Sequence, residues 1–319
     1  MASPILSLVA RRVALGILLL FAVSLLIFIG TQVLPGDVAQ SILGQSATPI
    51  ALENLRKDLG LDQPVYWRYL SWLGGVLTGD LGTALSTKQD VVTTLMPRLW
   101  NTLFLAFWAA IVSIPLAIIL GLLAVRYRNG PIDKLISAFA LASTSLPEFF
   151  VGYLLIFFFA VKLQWFPSVA TVYDGMPLID KLSAIALPVT VLVLVVLAHM
   201  MRMTRAAILN VMQSAYIETA ELKGLSPFQI IRRHAFPNAI APIVNVVMLN
   251  MAYLVVGVVV VEVIFVYPGM GQYLVDHVAK RDVPVVQAVG LIFAAVYIIL
   301  NIIADVAAII ANPRLRHPK

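Results

Sequence analysis

Six stretches of this chain run for about 20 residues or more with no charge or a single one: residues 13–33, 99–125, 135–161, 182–201, 235–261 and 283–304. The third contains only Glu148; the fifth runs on past Glu262 and the sixth past Asp305. A hydrocarbon layer about 30 Å thick takes roughly 20 apolar residues in helical form, so these stretches predict six membrane-spanning helices. Composition agrees: 61% of the 319 residues are apolar and 12% charged, with a mean hydropathy of +0.95. Soluble domains are about half apolar and a quarter charged, so this chain has too little polar surface to cover a globule.

The same composition removes whole classes of chemistry. With 0 cysteines there is no disulfide framework, no thiolate metal site and no thiol nucleophile. A formal charge of +6 and a pI near 9.6 raise the question of nucleic acid. No Lys/Arg cluster interleaves with an exposed aromatic stripe, and the basic residues are explained by membrane topology instead. The four histidines, His199, His234, His277 and His317, include no pair at the i, i+4 spacing of a zinc helix. His199 reads as a packed or interfacial residue, and the 10 methionines as gap fillers.

The first span follows Arg11 and Arg12, the arrangement of a secretory signal. Its apolar run exceeds the 7–15 residues of a signal core, and Leu34, Pro35, Gly36 and Asp37 follow it in place of a small-residue cleavage site, so it is read as retained. Orientation follows from Lys/Arg counting. With the N-terminus cytoplasmic, the inner segments hold 13 of the 22 basic residues against three acids, Asp133, Glu218 and Glu221, and the longer outer segments are close to neutral. Both termini are then inside, and Trp100 and Trp165 fall at outer span ends, where interfacial anchors belong.

Between spans four and five lies a polar loop, residues 202–234. Ser214 can cap a short helix carrying Glu218 and Glu221 early and Lys223 late, each with the favourable sign for the helix dipole. Gly224 supplies a left-handed stop. Ser226, Pro227 and Gln229 spell a capping box with proline at the first helical position, so a second helix starts at once. The loop also presents Tyr216, Ile217 and Leu225, apolar groups for which a merely solvated hairpin has no use. It reads as a docking surface for a cytoplasmic partner.

These residues carry a resemblance. Glu218, Thr219 and Ala220, then Gly224, then the run from His234 to Pro237 resemble the "EAA" loop of ABC importer permeases. Lys223 to Ser226 with Arg233, His234 and Ala235 is similar to the B-type permease of the dipeptide, oligopeptide and nickel transport family. The likeness extends over nearly the whole chain: Leu34 to Asp37, Leu59 to Pro64, Gly79 to Gly82, Arg98 with Asn101 to Leu103, Ser145 to Pro147, Glu262, Phe265, Pro268 to Gly271, Arg281 and Asp282 with Pro284 and Gln287, and Asn312 to Arg314. It departs at Thr219, where the pattern has alanine, at acidic Glu221, where a basic residue is frequent, and at Asn312, which replaces an aspartate.

The resemblance implies an all-α integral membrane protein of the type I ABC importer kind, six transmembrane helices with an extracytoplasmic insertion between the first and second. Its parts would be a cytoplasmic N-terminus (1–12), a permease domain (13–310) with the outer insertion at 34–98 and the coupling loop at 202–238, and a cytoplasmic tail (311–319), in a bacterial or archaeal inner membrane. It implies a second homologous permease, one or two cytoplasmic ABC ATPases and an extracytoplasmic solute-binding protein as partners, with lipid around the spans. The coupling residues would be Tyr216, Glu218, Thr219, Ala220, Glu221, Gly224, Leu225 and Pro237. The chain has no phosphate-cradling Gly-x-x-x-x-Gly-Lys-Ser/Thr, so it would be no enzyme itself and bind no cofactor; ATP and Mg would be used by the ATPases. Cargo would be a peptide or similar small solute, moved by alternating access.

Charges inside spans complete the reading. Glu148, Glu262 and Asp305 cost about 2.5–3.5 kcal/mol each on insertion scales and should face protein or water. Pro147, beside Glu148, frees a backbone carbonyl in mid-span, and the pair is a candidate for the translocation path or its gate. The alternative class is a proton-coupled secondary transporter with Glu148 or Asp305 as the proton site, for which no internal repeat is found. A membrane hydrolase ranks third, since no His-Glu-x-x-His or Gly-x-Ser-x-Gly occurs. Residues 51–59 and 65–73 predict helices in the outer segment, and Pro268 to Gly271 predicts a turn ahead of an interfacial helix.

Overall fold

The structure, a computed structural model, describes residues 4–33, 39–40, 47–58 and 60–311. The motifs at Leu34 to Asp37 and Asn312 to Arg314, and position Leu59, lie outside the described residues. In chain order the helices are α1 (Pro4–Val33), α2 (Pro49–Asp58), α3 (Val65–Thr78), α4 (Val91–Arg126), α5 (Pro131–Ser145) and α6 (Glu148–Leu155), which continues as π turns over Ile156–Lys162. Then come α7 (Leu178–Met212), α8 (Ala215–Leu222), α9 (Pro227–Ile230), a π turn (Ile231–Ala235), α10 (Phe236–Ile264), α11 (Met270–Ala279) and α12 (Val283–Ala311).

Among the described residues five helical stretches are long and apolar enough to cross a membrane, and α5 with α6 makes a sixth if the pair counts as one. That pair is bent by 103° at its break. Pro147 therefore does more than kink a span. Leu146 leaves α5 in extended conformation and Pro147 sits as the residue capping α6, because the proline ring disfavours helical backbone in the residue before it. The loop expected from residue 202 onward is also shorter than its charges suggest, since α7 continues to Met212. Helical hydrogen bonds do not stop where the hydrophobic stretch does.

The helices group into two compact units. One consists of the described residues within 15–102 and 268–295. Here Tyr69 of α3 bonds Ser24 of α1 at 2.9 Å and stacks edge-on against Phe28. Many of the motifs named above meet in this unit. Both carboxylate oxygens of buried Asp282 accept the backbone N–H groups of Leu85 and Ser86 at 2.9 Å. Arg98 lies over the Tyr273 ring at 4.4 Å, Asn101 donates to the Pro268 carbonyl at 2.9 Å, and the Thr102 hydroxyl accepts from Met270 N–H at 2.9 Å. Gln287 donates to Thr31 at 2.8 Å. A charged residue buried this deeply is tolerable because its lone pairs are satisfied.

The other unit, among the described residues, consists of 4–14, 103–267 and 296–311. Its centre is α7: two-thirds (67%) of its most apolar stretch is buried, against 17% in α1. α10 and α5 pack along α7, enclosing a core that includes Leu105, Ile185, Leu197, Met200 and Val258. α4 approaches α7 closely at Gly121, where a Cβ would come within 2.8 Å of the Thr204 side chain. That crossing needs a residue without a side chain.

Candidate functional site

The hairpin at the end of α7 forms as its local sequence dictates. Ser214 takes the extended capping conformation, but its side chain makes no capping bond; its carbonyl instead accepts from Ile217 N–H at 2.9 Å. α8 ends in a complete Schellman motif, with Gly224 N–H on the Glu221 carbonyl at 2.8 Å and Leu225 N–H on the Ala220 carbonyl at 3.3 Å. Gly224 has φ +79° with open space around its missing Cβ, so the backbone, not crowding, selects glycine. Two residues later the capping box closes: Ser226 Oγ accepts from Gln229 N–H at 3.4 Å and Gln229 Oε1 from Ser226 N–H at 3.1 Å. The π turn over Ile231–Ala235 ends two residues before Pro237, whose ring would collide with the Arg233 carbonyl in regular helix. Helix α9 thus feeds into the spanning α10.

Packing divides the hairpin into two faces. Ile217 (1% exposed) and Ala220 (5%) face inward, joining Val125, Ile208, Ile230, Ile231 and Ala235, with Leu225 partly buried against them. The expectation that Ile217 is displayed is therefore corrected; it anchors α8. At 100° per residue, Glu218, Thr219 and Leu222 occupy the opposite face of α8, with Tyr216 and Glu221 on its flanks. The apolar groups turned outward are Leu222 (83% exposed), Phe228 (59%) and Tyr216 (45%). Leu222 and Phe228 were missed in the sequence. Glu218, Thr219, Glu221 and Pro237 are all exposed.

A second region lies elsewhere in the same unit. Half-buried Glu148 accepts the Tyr253 hydroxyl at 3.2 Å. Three residues back along α10, buried Asn250 donates to the Val246 carbonyl at 2.8 Å and meets His199 Nδ1 at 3.2 Å. His199 is exposed to a groove, which overturns the packed alternative of its reading from sequence and leaves the interfacial one. Also unforeseen is a forked ion pair: Arg205 Nε and Nη2 donate to the two Asp133 oxygens at 3.0 and 2.8 Å, and Asn129 N–H adds 3.0 Å. It clamps the first turn of α5 to α7. Asp305 pairs with Arg12 at 3.0 Å, and Glu262 is fully buried.

Comparison with known proteins decides the family. Residues 113–317 match the family described as binding-protein-dependent transport system inner membrane component, and residues 5–106 match the N-terminal part of such membrane components. The chain belongs to this permease family. It is 36% identical to a putative peptide transport system permease protein of Brucella abortus (strain 2308), over 98% of this chain and 99% of that one. It is 35% identical to the glutathione transport system permease protein GsiC of Escherichia coli (strain K12), over 93% and 95%. Among solved structures, an inward-facing form of the MetNI methionine ABC transporter aligns with a TM-score of 0.52 and 19% identity, covering 68% of this chain and 97% of that one. That likeness bears on the fold alone. The permease is a multi-pass inner membrane protein of ABC importer type, and the proton-coupled alternative finds no support in these relatives.

Proposed function

We propose that this permease pairs with a second homologous permease to form a translocation path for peptides or similar small solutes, with ATP hydrolysed by one or two ABC ATPases docked on the Ser214–Pro237 hairpin. An extracytoplasmic solute-binding protein delivers the cargo to the outer insertion, and both termini lie in the cytoplasm. The permease holds no ATPase site or cofactor of its own; ATP and Mg act on the ATPases. The cargo class rests on the names of the peptide and glutathione relatives, and the sidedness on the Lys/Arg asymmetry.

The observation that carries the docking reading is the two-faced hairpin. Ile217 and Ala220 bind it to the permease core while Tyr216, Leu222 and Phe228 stay in the open, and an exposed apolar cluster on a rigid element marks an interface. Glu218, Thr219 and Glu221 surround it with polar groups; Ala220, Gly224, Leu225 and Pro237 hold its shape. Closure of the ATPases would push α8 and, through α9, lever α10. The 103° break at Pro147 beside Glu148 would serve as a hinge for that motion. In the cysteine-free chain, Leu222→Cys labelled with a benzophenone maleimide should cross-link to the co-expressed ATPase on irradiation. Absence of any ATPase adduct from Leu222→Cys and Phe228→Cys alike would overturn the docking surface.

A further inference from the structure

The groove beside His199 has a volume of about 460 Å³ and is lined by Thr144, His199, Arg202, Asn250, Tyr253 and Tyr297, with Val195, Val196 and Leu249 as apolar walls. That volume suits a small solute. Next to it, and sharing Val195, a cavity of about 340 Å³ is apolar apart from Glu148 and Ser143. Tyr253 joins the two, lining the first and donating to Glu148 at 3.2 Å.

The arrangement is polar in a directed way. Asn250 Nδ2 is held as a donor by the Val246 carbonyl at 2.8 Å, and the same nitrogen meets His199 Nδ1 at 3.2 Å. Nδ1 must then accept, which puts the proton of the neutral ring on Nε2 and leaves that edge as a donor for the groove. Arg202 lies three residues beyond His199 on α7, and Tyr253 three residues beyond Asn250 on the oppositely running α10. At 1.5 Å per residue, the guanidinium-bearing position and the Glu148–Tyr253 pair are offset by about 9 Å along the helices, with the His199–Asn250 pair midway. A cation stands at one end, a carboxylate at the other, and the ring donor midway between them beside apolar walls.

We propose that this groove, together with the adjoining cavity that holds Glu148, is a transient binding site for a zwitterionic solute with a free amine and a free carboxylate, of the size of a di- or tripeptide. Extended residues advance about 3.3–3.6 Å each, so the ends of such a chain span roughly 7–10 Å. Arg202 receives the carboxylate, the His199 ring donor a peptide carbonyl midway, Glu148 the ammonium group, and Val195, Val196 and Leu249 the side chains. The inference rests on the importer reading.

The cysteine-free chain permits a direct test in the intact transporter, reconstituted in nanodiscs of phosphatidylglycerol, which carries no amine. Thr144→Cys, with Leu249→Cys as a second reporter, is labelled with a maleimide, and trialanine is compared with N-acetyl-trialanine amide as protectant. Trialanine should slow labelling, the doubly capped peptide should not, and Arg202→Gln or Glu148→Gln should raise the half-protecting concentration at least about tenfold. Equal protection by both peptides, protection unchanged by either variant, or no labelling at either reporter position would overturn the site. So would protection without peptide that appears only in phosphatidylethanolamine discs, which would assign the groove to a lipid headgroup. ATP-driven uptake by the same Cys variants reports separately on the importer reading: uptake without peptide protection sinks the groove alone.

Discussion

Leu222→Ala separates a docking role from a structural one more sharply than any other change in the hairpin. Leu222 is 83% exposed, so truncation removes almost nothing from the folded permease. If the ATPase covers it, three carbons leave a buried interface at about 0.8 kcal/mol each, roughly 2 kcal/mol after allowing for incomplete burial. That corresponds to about 30-fold weaker ATPase binding. Ile217→Ala, five residues back on the inward face and 1% exposed, should instead cost about 2–5 kcal/mol of folding stability. The assay is titration of detergent-purified permease pair with ATPase subunits, alongside thermal unfolding of the pair. The expected pattern is weakened binding at unchanged stability for Leu222→Ala, and lowered stability for Ile217→Ala. Unchanged ATPase affinity in Leu222→Ala would refute the assignment of the outward face.

Gly224 should tolerate asparagine better than valine, because φ +79° with open space around the Cβ imposes only a backbone cost, about 1–2 kcal/mol for ordinary residues and less for asparagine. Substrate-stimulated ATP hydrolysis is expected to fall in Gly224→Val and survive in Gly224→Asn. Asp133→Asn leaves Arg205 without its forked partner; with the Arg205 side chain still 30% exposed, a loss of about 1–3 kcal/mol is expected, below that of a fully buried pair. Thermal unfolding checks it, and Arg205→Lys should recover only part, since lysine lacks the fork. Single cysteines at Ser86 and Asp174 should react with impermeant reagent from outside, and those at Asn129 and Ser226 only from inside; outside labelling at Ser226 would reverse the topology.

What the sequence disclosed and what it withheld divide by range. The Gly224 turn and the Ser226–Gln229 capping box were legible because each is settled within a few residues by backbone chemistry. The spans were legible because hydrophobic length is a local property. Which face of α8 turns inward was not, since Tyr216, Ile217 and Leu222 are all apolar and only packing against Ile208, Ile230 and Ala235 sorts them. The Asp133–Arg205 pair and the Asn250–His199 contact join residues 72 and 51 positions apart, a separation that no local pattern reveals. Pro147 announced a break, but its 103° angle comes from how α5 and α6 each pack on α7.

The central claim is that this permease is driven by ATP through its hairpin. Its most direct test is uptake into proteoliposomes that hold the permease pair and ATPases, with solute-binding protein and labelled peptide outside and ATP inside. Uptake should require ATP, persist when a protonophore collapses the proton gradient, and disappear in Leu222→Asp although the second permease remains bound. Uptake that proceeds without ATP and stops with the protonophore would contradict the account.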